Sequence, residues 1–286
     1  MAPDADAGKA ARRADPFAPL TSEWLDVGDG HNLHVESVGR EGGVPAVYLH
    51  GGPGSGCQPD HRRLFDPERF HAVLFDQRGC GRSRPKGSRD HNTTQHLIAD
   101  MEKIRERFGF ARWMVAGGSW GATLALAYAE ARPDAVSALV LRGVFLGQQS
   151  ELDWFYGGGA GRFWPELWQR FRDVIPEPER GDLVAAYHRR LFSGDPAIET
   201  RYAMPWLAWE NALAGLDNGS PGHAPPAYAR AFARLENHYF VHACFLDEGQ
   251  LLRDRRRIEH LPAVIVQGRY DMVCPPLSAW TLAQGW

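Results

Sequence analysis

The hydrophobic positions of this chain fall into two textures. Between residues 21 and 39, apolar and polar residues alternate on either side of Asp29-Gly30, a hairpin-turn dipeptide. That pattern predicts an antiparallel pair at a sheet edge. Short, mostly apolar runs follow at 46–49, 72–75, 113–116, 137–141 and 263–268, and read as buried strands. Between them, 93–108 places Leu97, Ile98, Met101, Ile104 and Phe108 on one helical face, with Thr93 or Thr94 to cap its start and Gly109 to end it. From 147 to 250 the texture changes to helical spacing with almost no strand signal. This stretch carries Trp154, Phe155, Tyr156, Phe163, Trp164, Trp168, Trp206 and Trp209, residues that hold a small helical layer together or line a pocket in it.

Strands alternating with helices predict an α/β protein, with a mostly parallel sheet covered by helices on both faces. The expected organisation is a flexible tail over 1–20, a core over 21–146 and 251–286, and an inserted helical cap over 147–250.

The chemistry centres on residues 113–128. An apolar strand runs into Gly117-Gly118-Ser119-Trp120-Gly121 and continues as an alanine- and leucine-rich helix. Gly-x-Ser-x-Gly at such a bend lifts the serine hydroxyl clear of the sheet, because larger residues at either outer glycine would collide with strand or helix. Ser119 is therefore a candidate nucleophile, and the N–H of Trp120 a candidate oxyanion donor. Two glycine-rich loops, 50–54 and 76–83, follow buried strands, where open α/β sheets place their ligands. Asp271, just past the 263–268 strand, fits the acid of a Ser-Asp-His triad, with turn capping as the alternative.

No histidine follows Asp271, although this triad order places one there. Of the 12 histidines, His50 belongs to a glycine loop, His96 to a helix, His238 and His242 to the cap, and His260 to the far end of the last strand. The chain is expected to be a truncated version of a longer protein, and inactive as it stands.

Composition narrows the field. A 286-residue chain with 44% hydrophobic residues and a net charge of −3 has no basic excess for nucleic acid and no apolar run long enough for a bilayer. Its first 20 residues lack the apolar core of a signal peptide, so a cytoplasmic protein is expected. Four scattered cysteines, Cys57, Cys80, Cys244 and Cys274, suit reduced thiols better than disulfides or zinc.

The sequence resembles the proline iminopeptidases, serine peptidases of the α/β-hydrolase fold. The resemblance runs from about Phe17 onward and rests on His50-Gly51-Gly52-Pro53-Gly54, Asp76-Gln77-Arg78-Gly79-Cys80-Gly81-Arg82-Ser83, Gly117-Gly118-Ser119-Trp120-Gly121, Glu236-Asn237-His238-Tyr239-Phe240 and Gly268-Arg269-Tyr270-Asp271. It implies Ser119 as nucleophile, Asp271 as triad acid, and the N–H groups of Gly52 and Trp120 as oxyanion hole. It also implies that Glu210 and Glu236 bind the free amino terminus of a peptide, and that Phe145, Phe155, Phe240 and Cys274 line the pocket for its proline ring. Phe155 stands where some members have tyrosine. The implied reaction releases N-terminal proline through an acyl-enzyme and needs no cofactor or metal, membrane or nucleic-acid partner. An esterase or lactonase of the same fold, and a non-catalytic binding protein, are the competing readings.

Overall fold

The computed structural model describes residues 15–215 and 224–286. The expected tail therefore lies almost wholly outside the described residues. The sheet is built from β1 (Thr21–Gly28), β2 (His31–Gly39), β3 (Val44–Leu49), β4 (Phe70–Phe75), β5 (Trp113–Ser119), β6 (Val136–Val144) and β7 (Ala263–Val266), in the order β1-β2-β4-β3-β5-β6-β7. β1 pairs with β2 and β2 with β4 in antiparallel register; the remaining neighbours are parallel. The expected hairpin forms at the sheet edge, with Asp29 and Gly30 both at positive φ.

Helix α1 (Thr94–Arg107) is capped by the Thr93 side chain, which accepts from the His96 N–H, and Gly109 follows its end at φ 67°. Leu97, Met101 and Ile104 are buried on its inner face. Helix α2 (Trp120–Ala131) is apolar on every side and almost every residue in it is buried, as expected of a helix enclosed by its own protein. The Trp113 indole N–H donates to Tyr128 Oη at 3.1 Å, and Tyr128 donates to Glu102, tying β5, α2 and α1 together.

Between β6 and β7 the described chain is helical. α3 (Gln149–Tyr156), α4 (Pro165–Asp173), α5 (Leu183–Leu191), α6 (Pro196–Ala214) and α7 (Pro226–Val241) pack around Phe171, Tyr187, Trp206 and Trp209. The tryptophans at 206 and 209 are thus core residues. α8 (Gln250–Arg253) leads back to β7, and α9 (Pro276–Gln284) follows it.

One strand differs from its expected setting. The 263–268 run reads as a buried strand; among the described residues β7 pairs with β6 alone and lies at the sheet edge. Val264 and Val266 are 56% and 53% exposed. An apolar run reports β propensity; it does not report how many neighbours the strand acquires. Helical cover of the sheet is accordingly incomplete at this edge.

Candidate active site

Ser119 ends β5 and α2 begins at the next residue. Its φ of 56° and ψ of −126° are sterically unfavourable for a residue with a Cβ, and its neighbours explain how the bend is held. A Cβ on Gly117 would lie 2.2 Å from the Gly121 carbonyl oxygen, and one on Gly121 would lie 2.1 Å from the Leu49 carbonyl oxygen. Helix meets its own strand at the first position and β3 at the second. Both outer glycines are required.

Loop 50–54 passes over the serine, close enough that a Cβ on Gly51 would stand 3.9 Å from Ser119 Oγ. A buried network fixes this loop. His50 Nε2 accepts from the Gln77 N–H at 3.0 Å, Gln77 Nε2 donates to the His50 carbonyl at 3.0 Å, and Trp120 Nε1 donates to Gln77 Oε1 at 2.9 Å. His50 Nδ1 lies 2.9 Å from the Gly51 carbonyl, and burial pushes the imidazole pKa down. This ring is a neutral strut. Among the described residues no histidine is hydrogen-bonded to Ser119 or Asp271.

The position of the 76–83 loop after a buried strand suits either a close backbone approach to a ligand or a tight turn only; its side chains turn inward and its glycines serve the packing of the protein itself. Asp76 accepts from the Cys57 and Arg82 N–H groups, and Arg78 makes two 2.7 Å bonds to the buried Asp100. A Cβ on Gly81 would fall 2.6 Å from the Asp76 carboxylate. These glycines are packed against a carboxylate and a neighbouring chain segment, and none of 76–83 lines the cavity at Ser119.

That cavity is small, about 30 Å³, and is lined by Gly52, Ser119, Phe145, Phe155, Glu210, Glu236, Phe240 and Cys274 among others. Every side chain expected in the amine and ring pocket is brought there. Cys274 Sγ lies 3.9 Å from Ser119 Oγ. The cavity has room for a water or two. It adjoins a groove of about 710 Å³ that shares Ser119, Gly52 and Glu210 and includes Asp271.

Glu210 comes from α6 and Glu236 from α7. Burial raises the pKa of both; proximity to Glu210 raises Glu236 further, and hydrogen bonding between the two carboxyls lets them share a proton. Tyr156 Oη donates to Glu210 Oε1 at 2.7 Å, and Trp206 Nε1 donates to Glu236 Oε2 at 2.6 Å. From sequence both were read only as cap aromatics that hold the layer together or line a pocket, and Tyr156 does line the cavity. Trp206 lies four residues before Glu210 and so on the same helical face, but neither residue's spacing reports which carboxylate it donates to. Glu151 was missed. It lines the cavity and accepts from the Leu146 and Gln148 N–H groups and the Ser278 hydroxyl, joining the end of β6 to α3 and α9.

Asp271 lies just past β7, half-buried. Its Oδ1 accepts from the N–H groups of Val273 at 3.1 Å and Cys274 at 2.8 Å, and Gln267 Nε2 lies 3.4 Å from Oδ2. The Oδ1 bonds shape the turn that sets Cys274 beside Ser119. All four cysteines are free and buried.

A family model described as alpha/beta hydrolase fold matches residues 45–286. The chain is 50% identical over 272 residues to a proline iminopeptidase of Xylella fastidiosa strain 9a5c, covering 94% of this chain and 87% of that one. It is 48% identical over 277 residues to a proline iminopeptidase of Arabidopsis thaliana, covering 95% and 73%. Among solved structures, a Mycobacterium smegmatis proline iminopeptidase superposes with a TM-score of 0.55 at 19% identity, covering 92% of this chain and 86% of that one, and the esterase RhEst1 from a Rhodococcus species with 0.58 at 19%, covering 93% and 86%. These structural likenesses support the fold.

Proposed function

We infer that this chain, which belongs to the proline iminopeptidase family of α/β hydrolases, serves the release of N-terminal proline from peptides. The observation that carries this reading is the pair of neighbouring carboxylates, half-buried Glu210 and buried Glu236, in the cavity that holds Ser119. A buried carboxylate pair is costly unless a cation joins it. An N-terminal prolyl nitrogen, positively charged with two N–H donors, suits both acceptors by charge-assisted hydrogen bonds. The aromatic walls Phe145, Phe155 and Phe240 suit the ring carbons. An ester or lactone substrate without an amino group would bring no cation to the carboxylates, which disfavours that reading.

In the proposed reaction Ser119 Oγ attacks the prolyl carbonyl carbon, and the N–H groups of Gly52 and Trp120 stabilise the developing oxyanion. The serine proton passes to a histidine base, which returns it to the departing peptide amine. Water then adds to the acyl-enzyme carbonyl, and its collapse frees proline and restores the serine. Asp271 is assigned to orient that histidine; no histidine follows it in the sequence. We assign residues 147–250 as the cap and 21–146 with 251–286 as the core. Four buried free thiols support a reducing, cytoplasmic setting.

The test is hydrolysis of a prolyl chromogenic amide. Cleavage that survives Ser119→Ala, or that improves when the substrate's amino group is blocked, overturns the assignment.

A further inference from the structure

We propose that Asp29, His91 and His96 form a site for a divalent transition-metal ion of the zinc and cobalt class, away from the cavity at Ser119. One ligand atom from each of the three lies within 4.8 Å of the others. Tetrahedral zinc with bonds of about 2.0–2.1 Å places its ligand atoms about 3.3 Å apart. Asp29 and His91 are exposed and His96 is half-buried, so modest side-chain rotations close that gap.

The donors define the ion class. Two imidazoles and a carboxylate suit borderline transition metals, whereas magnesium and calcium favour sites made of oxygen alone. Three protein ligands leave a coordination position for water.

The surrounding contacts hold these side chains as an outer shell holds metal ligands. His96 Nδ1 lies 2.8 Å from Thr93 Oγ1; donating its N–H there leaves the Nε2 lone pair free for a metal. Asp29 Oδ2 is steered by Arg78 Nη1 at 3.1 Å, and the same Nη1 donates to the His91 carbonyl at 2.7 Å. A guanidinium beside a cation site weakens it. Here, however, the Arg78 charge is already matched by Asp100 through Nε and Nη2, so Asp29 Oδ1 keeps acceptor capacity for an ion.

The three ligands come from three segments: the β1–β2 turn, the loop before α1, and the first turn of α1. Next to His91, the Asn92 carbonyl lies 2.9 Å from His238 Nε2, and Asn92 Oδ1 accepts from Tyr239 Oη at 2.8 Å. A bound ion would stiffen the loop on which α7 is seated, and α7 also carries Glu236.

Zinc chloride titrated into chelator-treated protein is the probe, read by calorimetry and thermal melting. One ion per chain should bind, and at about 100 times the Kd the melting midpoint should rise by about 5 °C. Magnesium at the same concentration should leave the midpoint unmoved, and bound cobalt should give the visible bands of low-coordinate histidine ligation. The double variant His91→Ala, His96→Ala and the single variant Asp29→Asn should each lose the effect while keeping the wild-type circular dichroism. Thr93→Val should weaken binding about tenfold or more. The absence of zinc binding, or equal binding by wild type and the double variant, overturns the proposal.

Discussion

The Trp120 indole N–H donates to Gln77 Oε1 at 2.9 Å, so the residue after the nucleophile is tied to the loop that also holds His50. One buried amide thereby couples two elements assigned to the oxyanion hole. Replacing Gln77 by leucine leaves the Trp120 indole N–H and the His50 carbonyl buried without their partner. Stability should fall by about 1–3 kcal/mol, and kcat for a prolyl amide should fall more than KM rises. Denaturant unfolding and steady-state kinetics check both; unchanged kcat would separate the loop from catalysis.

Glu236→Gln removes a charge but keeps an oxygen for the Trp206 N–H. Loss of a charge-assisted contact worth about 1.5–3 kcal/mol should raise KM for an N-terminal prolyl substrate roughly 10- to 100-fold. Acylation by a neutral, N-blocked ester should change little. Equal loss on the two substrates would argue against an amine clamp.

Glu210 and Glu236 share a proton when no cation is present, because burial raises both pKa values. An entering ammonium favours the doubly charged pair, so binding should expel a proton. Prolinamide affinity should therefore strengthen as pH rises, until the amine itself deprotonates, because burial holds both carboxyl pKa values above the ordinary carboxylate range. Calorimetry in buffers of differing ionisation enthalpy reads the proton count directly. A count of zero and a flat affinity would contradict this.

Glu130, in the last turn of α2, is 4% exposed, and neither carboxyl oxygen has a well-formed hydrogen bond to a described residue. Burial and then Asp254 push its pKa up to about 8. The folded state thus holds a proton that the unfolded state releases near pH 4.5. The stability this contributes is present below the unfolded value and is lost as pH rises through about 8. Glu130→Gln should flatten that decline, with its largest gain, a few kcal/mol at most, above pH 8. Melting curves across pH provide the check.

Sequence by itself determined the elbow. Gly117 meets the Gly121 carbonyl four residues on, so its steric demand is local and can be read from the spacing, whereas Gly121 is required by the Leu49 carbonyl on β3, a contact only the fold supplies. The alternation around Asp29-Gly30 and the face of α1 were legible for the same reason: strand and helix periods belong to adjacent residues. Only the tertiary structure decided which polar groups meet across distance. Gln77 became the bridge between loop and helix, Tyr156 and Trp206 became donors to the two glutamates, and the 76–83 loop became scaffold, all through contacts between elements far apart in sequence. β7 shows the same limit in an apolar run, since its residue types fix its extended conformation while sheet order leaves Val264 and Val266 exposed. A side chain's conformational preference is local, whereas its burial and partners depend on the whole packed molecule.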